Sequence, residues 1–194
     1  MPDPRHVFLF SGHMIDGRDR ASPRFPPQME SSASAAIAAS LDEFGAGRED
    51  LGITEGACGG DLLFAEAMLE RGASLDLHLP FQEHEFLANS VDFDKPAAAI
   101  PDHWRERYFA VRRNERTRVR IMSDELGPLP ADADPYERCN LWMLEDALAF
   151  GPRKVRFICL WNGRGGDGPG GTEHLRREVK RRGGQERWLD TSKL

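Results

Sequence analysis

No apolar run in this chain approaches the roughly 18 residues that would carry a helix across a bilayer. The opening MPDPRHVFLFSG also lacks a long apolar stretch behind a basic start. A cytoplasmic protein with no membrane partner is the expectation. Cysteine is scarce: Cys58, Cys139 and Cys159 are odd in number, far apart and without a CxxC pair. That spacing argues against a disulfide framework or a zinc ribbon and for small buried hydrophobes. None of the six histidines falls in an HExxH or similar pattern, and the contiguous Glu83-His84-Glu85 would point to different sides of a helix. Neither a metal nor any other cofactor is expected. A surplus of positive charge is missing as well, since 26 Lys and Arg face 32 Asp and Glu for a net charge of −6. A molecule of that sign repels a polyanion, so a nucleic-acid partner is not expected. The one basic run, Arg176 to Arg187, reads as the solvated face and end of a helix. Finally, the chain contains neither GxxxxGK[ST] nor a complete GxGxxG, which leaves a plain ATPase or an ordinary dehydrogenase without support.

What remains is an ordinary globular composition, 40% hydrophobic and 30% charged over 194 residues, enough for one domain spanning 1–194 with a single core. HVFLFSG (His6 to Gly12) has the look of a buried strand, and His13 to Pro27 that of a long loop. Gln28 to Gly45 reads as a helix with Met29, Ala33, Ala36, Ile37, Leu41 and Phe44 near helical spacing. Leu51 to Ala57 follows as a strand, Cys58 to Ala73 as a glycine turn and helix closed by Gly72, and Ser74 to Pro80 as a strand stopped by proline. Gln82 to Val91 is expected to be helical and Asp92 to Pro101 a loop. His103 to Arg116 would be an amphipathic helix with Trp104, Tyr108 and Val111 on one face, and VRIMSD a short strand. Asp134, Pro135 and Glu137 spell an N-cap, a proline in the first helical position and an acid in the first turn. The helix they announce runs to Gly151, with Leu141, Leu144 and Leu148 and the intervening Trp142 as its apolar face. Lys154 to Trp161 is the most strand-like segment, followed by a glycine-rich loop, a helix over Thr172 to Arg182 and a last short strand near RWLDT. Strands alternating with helices predict an α/β fold: a doubly wound, mainly parallel, Rossmann-like sheet with helices on both faces.

In such a sheet the loops that leave the carboxyl ends of the strands share one edge, and ligands bind there where the strand order reverses. Three loops fall on that edge: Ser11-Gly12-His13, the stretch Glu55 to Asp61, and Asn162 to Thr172. Two are glycine turns running into a helix, where close backbone approach and the first helical N–H groups suit an anion such as phosphate. Candidate ligand-binding residues are therefore Ser11, Gly12, His13, Glu55, Gly56, Gly59, Gly60, Asp61, Asp167, Gly168, Gly170, Gly171 and Thr172. Glu55 and Asp61 are placed to bond ribose hydroxyls, and Asp61 equally to cap its helix; Asp167 has the same two readings. Asn140 in NLWML can face a ligand, whereas Trp142 reads as core. Arg107, Arg112 and Arg113 can reach a phosphate, but on an amphipathic helix they read as solvated.

These pieces resemble a known superfamily. TEGACGGDLLFAEAMLERGASLDLHLPF is similar to the glycine-turn unit of the SLOG superfamily, whose Rossmann-like members include the LOG phosphoribohydrolases and the DNA-processing protein A fold. GDGPGGT resembles the second, PGG-containing loop. SGHMID, LPF, NLWML and LWNGRGGDGPGGT follow in the order of bacterial SLOG-like domains that accompany signalling modules, over about residues 9 to 175. The resemblance implies binding of a nucleotide or nucleotide-derived small molecule, homodimerisation, and a signalling or defence partner. LOG enzymes cleave the N-glycosidic bond of nucleoside monophosphates with a PGGxGTxxE loop; here the position three beyond Thr172 is Leu175, and Glu173 directly follows the threonine. Three readings stay open: a nucleotide-binding sensor, a LOG-like hydrolase with Glu173 or Glu55 as catalytic carboxylate, and a single-stranded DNA binder that the acidic charge opposes.

Overall fold

A computed structural model of the chain describes residues 3–17, 20–92, 103–165 and 169–194. Its centre is β1 (Val7–Gly12), where alternation sends Val7 and Leu9 to one face and Phe8 and Phe10 to the other, all four fully buried. Burial on both faces is what a central parallel strand requires. Around it lie β2 (Leu51–Thr54), β3 (Ser74–Leu79), β4 (Thr117–Ile121), β5 (Val155–Trp161) and β6 (Gln185–Asp190), in the order β4-β3-β2-β1-β5-β6. Every neighbouring pair is parallel. The order descends to β1 and then jumps to β5, so the reversal falls between those two strands, paired from Val7 with Val155 to Gly12 with Leu160.

Helices cover both faces. α1 (Glu30–Glu43), α2 (Gly60–Glu70) and α4 (His103–Arg112) lie over Phe8, Phe10, Leu75, Leu77 and Ile158. α6 (Pro135–Ala149) and α7 (Thr172–Arg181) lie over Val7, Leu9, Leu51, Ile53, Phe157 and Cys159. The doubly wound α/β reading holds, with an all-parallel sheet. All three cysteines are free and buried. Asp134 caps α6 as its sequence context dictates, its Oδ1 accepting from the Glu137 amide at 2.8 Å with Pro135 next in line.

Several boundaries differ from expectation. VRIMSD splits: β4 begins at Thr117 and ends at Ile121, and Met122 opens the short helix α5 (Met122–Leu126), whose Met122 packs against Cys139 and Trp142. β2 stops at Thr54 because Gly56, at φ +87°, turns the chain. The 83–91 segment begins as α3 (Glu83–Phe86) and loosens into a π-turn over Leu87–Val91. α4 ends at Arg112, four residues short of Arg116. Leu141 is only half-buried, since the inward face of α6 is made by Cys139, Trp142, Met143, Ala147 and Leu148 with Leu144. The loop expected over 92–101 falls, after Asp92, outside the described residues.

The long β1–α1 connection is ordered by one buried carboxylate. Asp16, 8% exposed, accepts the backbone amides of Arg24 and Phe25 through Oδ2 at 2.6 and 2.7 Å, and its Oδ1 pairs with Arg20 at 3.2 Å. Phe25, fully buried, pins the far end of the strap in the core.

Candidate functional site

At the carboxyl ends of β1 and β5, where the strand order reverses, a cleft of about 270 Å³ opens. Six segments line it. Phe10 to Met14 come from the end of β1 and its loop, Arg24 from the strap, Glu55 and Ala57 from the β2 turn, and Asp61 from the first turn of α2. Tyr136, Asn140 and Met143 come from one face of α6, and Trp161, Arg164, Gly171 and Thr172 from the end of β5 to the start of α7.

The first glycine turn is held from inside. Met14 and Gly59 form an antiparallel bridge, Gly60 donates its amide to the His13 carbonyl at 3.1 Å, and Ile15 donates to the Cys58 carbonyl at 3.2 Å. Gly59 has φ +97°, and a Cβ there would lie 2.5 Å from the Ile15 nitrogen. Only glycine permits that approach. The Cys58 amide goes to the Ser90 carbonyl and the Ala57 amide to Asp61 Oδ2 at 3.3 Å. Asp61 therefore braces the turn that precedes its helix. Gly56, Gly59 and Gly60 shape the loop and are not among the residues that line the cleft.

The floor is acidic. Glu55 and Asp61 are both 7% exposed, and Glu55 Oε1 is buried without a hydrogen-bond partner. Burial, then the neighbouring Asp61 charge, raises the Glu55 carboxyl well above its ordinary range; burial raises Asp61 to about 7 against the pull of the Ala57 amide. The Cys139 thiol lies beside Glu55 and donates to the His78 carbonyl at 3.4 Å. His13 is held neutral: burial and the Arg24 charge push it down to about 4, and its Nε2 accepts the Asn162 amide at 3.3 Å. Its proton therefore sits on Nδ1.

Two arginines also line the cleft. Arg24 is half-buried, and burial followed by repulsion from Arg20 lowers its pKa; its buried Nε has no partner. Arg164 is exposed. Neither forms an ion pair among the described residues, and the nearby Asp16 charge only partly offsets the effects that lower Arg24. The basic run behaves in the opposite way. Arg176 is bound by Glu173 and Glu186, Arg181 and Arg182 by Glu178, and Arg187 by Glu43. Of the arginines on α4, Arg107 is held by Glu30 and Glu66 over the Trp104 ring, and Arg112 by Glu83; Arg113 lies beside Phe109, its guanidinium carbon 6.0 Å from the ring centroid.

Of the residues singled out from sequence, Ser11, Gly12, His13, Glu55, Asp61, Asn140, Gly171 and Thr172 come together in the cleft, and Ser11 Oγ lies 3.3 Å from Thr172 Oγ1. Gly170 packs against α6 instead, and its amide donates to His174 Nδ1 at 2.8 Å. Glu173 turns to Arg176 and Arg177 at 3.0 and 3.1 Å and does not line the cleft, while Leu175 is in the core. Asp167 and Gly168 lie outside the described residues. Trp142 is core, 4.2 Å from the His78 ring. Sequence reasoning missed Arg24, Tyr136, Met143, Trp161 and Arg164. The signal for two of them was present, since Tyr136 and Met143 flank Asn140 at helical spacing. Arg24 had none, because a strap without periodicity carries it. Among the described residues no group of three or more His, Cys, Asp or Glu is arranged to hold a metal ion, and no helix is long and apolar enough to cross a membrane.

No family model matches the chain, and no curated protein matches it. Among solved structures, DNA processing protein A (DprA) from Streptococcus pneumoniae is similar over 96% of this chain and 59% of that chain, at 15% identity and a TM-score of 0.38. The chain thus spans about three-fifths of that protein's length.

Proposed function

We propose that the cleft between β1 and β5 binds a nucleotide or nucleotide-derived ligand, and that the domain serves as a sensor in bacterial signalling or defence. One observation carries the reading: a single cleft at the strand-order reversal is lined both by two buried carboxyls and by Arg24 and Arg164, neither of which forms an ion pair among the described residues. Half-buried Arg24, its Nε without a hydrogen-bond partner, is a cost that a bound phosphate removes, and Thr172 adds the N-terminal turn of the ten-residue α7 to the lining. Trp161 and Tyr136 supply aromatic surface for a base. The resemblance to SLOG-like domains that accompany signalling modules supports the sensor role.

Glycosidic cleavage is the second reading, and the Glu55–Asp61 pair favours it, because an oxocarbenium-like transition state needs a carboxylate near the ribose. A thermal-shift screen with nucleoside mono-, di- and triphosphates, ADP-ribose and cyclic nucleotides tests binding; a stabilisation that Arg24→Ala weakens is expected, and silence across the panel overturns the reading. Chromatography for free base after incubation with nucleoside monophosphates separates binding from cleavage.

A further inference from the structure

We propose that the acidic floor is a cis-diol site: Glu55 and Asp61 receive the two ribose hydroxyls, so the cleft selects ribonucleotides over 2′-deoxyribonucleotides. The inference rests on the nucleotide reading above and specifies the sugar.

The two carboxyls line one cleft, both are more than nine-tenths buried, and neither has a cation beside it among the described residues. Asp61 takes the Ala57 amide at 3.3 Å, with the Gly56 amide and the Thr54 hydroxyl close by, whereas Glu55 Oε1 has no hydrogen-bond partner, the adjacent Cys139 thiol donating to the His78 carbonyl. A buried carboxyl oxygen without a donor is an incomplete hydrogen-bond set, and the cleft is the side from which a donor can arrive. Two acceptor groups side by side match two adjacent hydroxyl donors; a single hydroxyl leaves one of them unpaired, and a buried unpaired group is the main source of discrimination between ligands that differ by one polar atom.

The empty site keeps a proton because two desolvated acids stand together: Glu55 faces Asp61, Asp134, Tyr136 and the Cys139 thiol, all acidic or neutral. A hydroxyl that donates into a carboxylate stabilises the ionised form, so the diol displaces the proton to solvent. Affinity then rises as pH rises through the Asp61 value of about 7. His13, depressed to about 4, stays neutral in that range, and burial holds Cys139 as a thiol.

The test is calorimetric titration of the full chain with AMP and GMP, each against its 2′-deoxy counterpart, at pH 6 and pH 8 in buffers of different ionisation enthalpy. The proposal expects each ribonucleotide to bind at least about tenfold tighter than its deoxy form, release of a proton near neutral pH, and a Glu55→Gln variant in which both the preference and the release shrink. Equal affinity for ribo- and deoxy-forms in the wild-type protein overturns the diol site and leaves nucleotide binding intact. A full preference retained in Glu55→Gln and in Asp61→Asn overturns it as well. Binding of none of the four nucleotides overturns it too, and silence across the wider nucleotide panel overturns the nucleotide reading with it.

Discussion

Gly170 stands against Glu137: a Cβ on the glycine would lie 2.5 Å from the Glu137 carbonyl oxygen and 2.8 Å from its Cα. The glycine of the PGG loop thus lets the β5–α7 connection press onto the first turn of α6, while the next two residues, Gly171 and Thr172, line the cleft. The same division holds in the other turn, where Gly59 meets the Ile15 backbone and Glu55 and Asp61 face the cleft. Both glycine turns join one wall of the cleft to another.

Gly170→Ala is expected to destabilise the protein by about 1–3 kcal/mol, from a left-handed φ of +73° and an overlap with backbone that has no rotamer to escape into. Gly165, also at positive φ but with open space around it, is the control: alanine there costs about 1 kcal/mol from backbone strain alone. Chemical denaturation of both variants measures the difference, and equal losses would remove the packing role of Gly170.

Asp16→Ala frees the strap. The carboxylate holds two amides, of which the Phe25 bond is buried, so its loss costs about 1–3 kcal/mol. Because those bonds fix the residue that carries Arg24, nucleotide affinity should fall along with stability. Arg24→Ala should lower affinity by about tenfold or more while leaving melting unchanged or raised, since the folded protein sheds an unpartnered guanidinium. A melting curve and a titration for each variant separate the two effects, and a large stability loss in Arg24→Ala would contradict the account of an unsatisfied cation.

The alternation of strands and helices, the Asp134 cap and the Trp104, Tyr108, Val111 face were legible in the sequence because each rests on spacing within one segment. So was half of the cleft lining, because the carboxyl ends of parallel strands share an edge whatever their order. What was not legible is which partner each charged side chain takes, within one strap or one helix turn as well as across the fold. Arg24 is set by an aspartate eight residues earlier, Glu173 is drawn off by arginines three and four residues on, and the basic run is neutralised by Glu43, Glu145 and Glu186. Charge read along the sequence put the cations at 176–187; charge read in space leaves Arg24 and Arg164 facing the cleft.

His13 and Asp61 pull stability in opposite directions with pH. Unfolded His13 takes a proton near 6.5 and the folded residue only near 4, so the unfolded state binds more protons between those values and stability falls as pH falls. Unfolded Asp61 loses its proton near 3.8 and the folded residue near 7, so the folded state binds more and stability falls as pH rises through that window. Asp61→Asn should therefore gain on the wild type as pH rises from 4 to 7, with a slope on the order of 1 kcal/mol per pH unit, and level off above 7. His13→Gln should show the reverse, gaining on the wild type as pH falls from 6.5 to 4. Melting temperatures of the three proteins across pH 4 to 8 check both signs.

Glu173→Gln separates the two acidic candidates. Its carboxylate spends itself on Arg176 and on exposed Arg177, and surface pairs of this kind contribute at most about 1 kcal/mol. The variant should melt within a few degrees of the wild type and keep its nucleotide affinity, because none of the groups lost touches the cleft. Glu55→Gln, by contrast, alters the floor itself and should change affinity and its pH dependence. If free base is released from nucleoside monophosphates by the wild type, the same comparison assigns the carboxylate: loss of release in Glu55→Gln with retention in Glu173→Gln places the chemistry on the floor, and the opposite pattern would require the start of α7 to unlock from Arg176 and Arg177 when ligand binds.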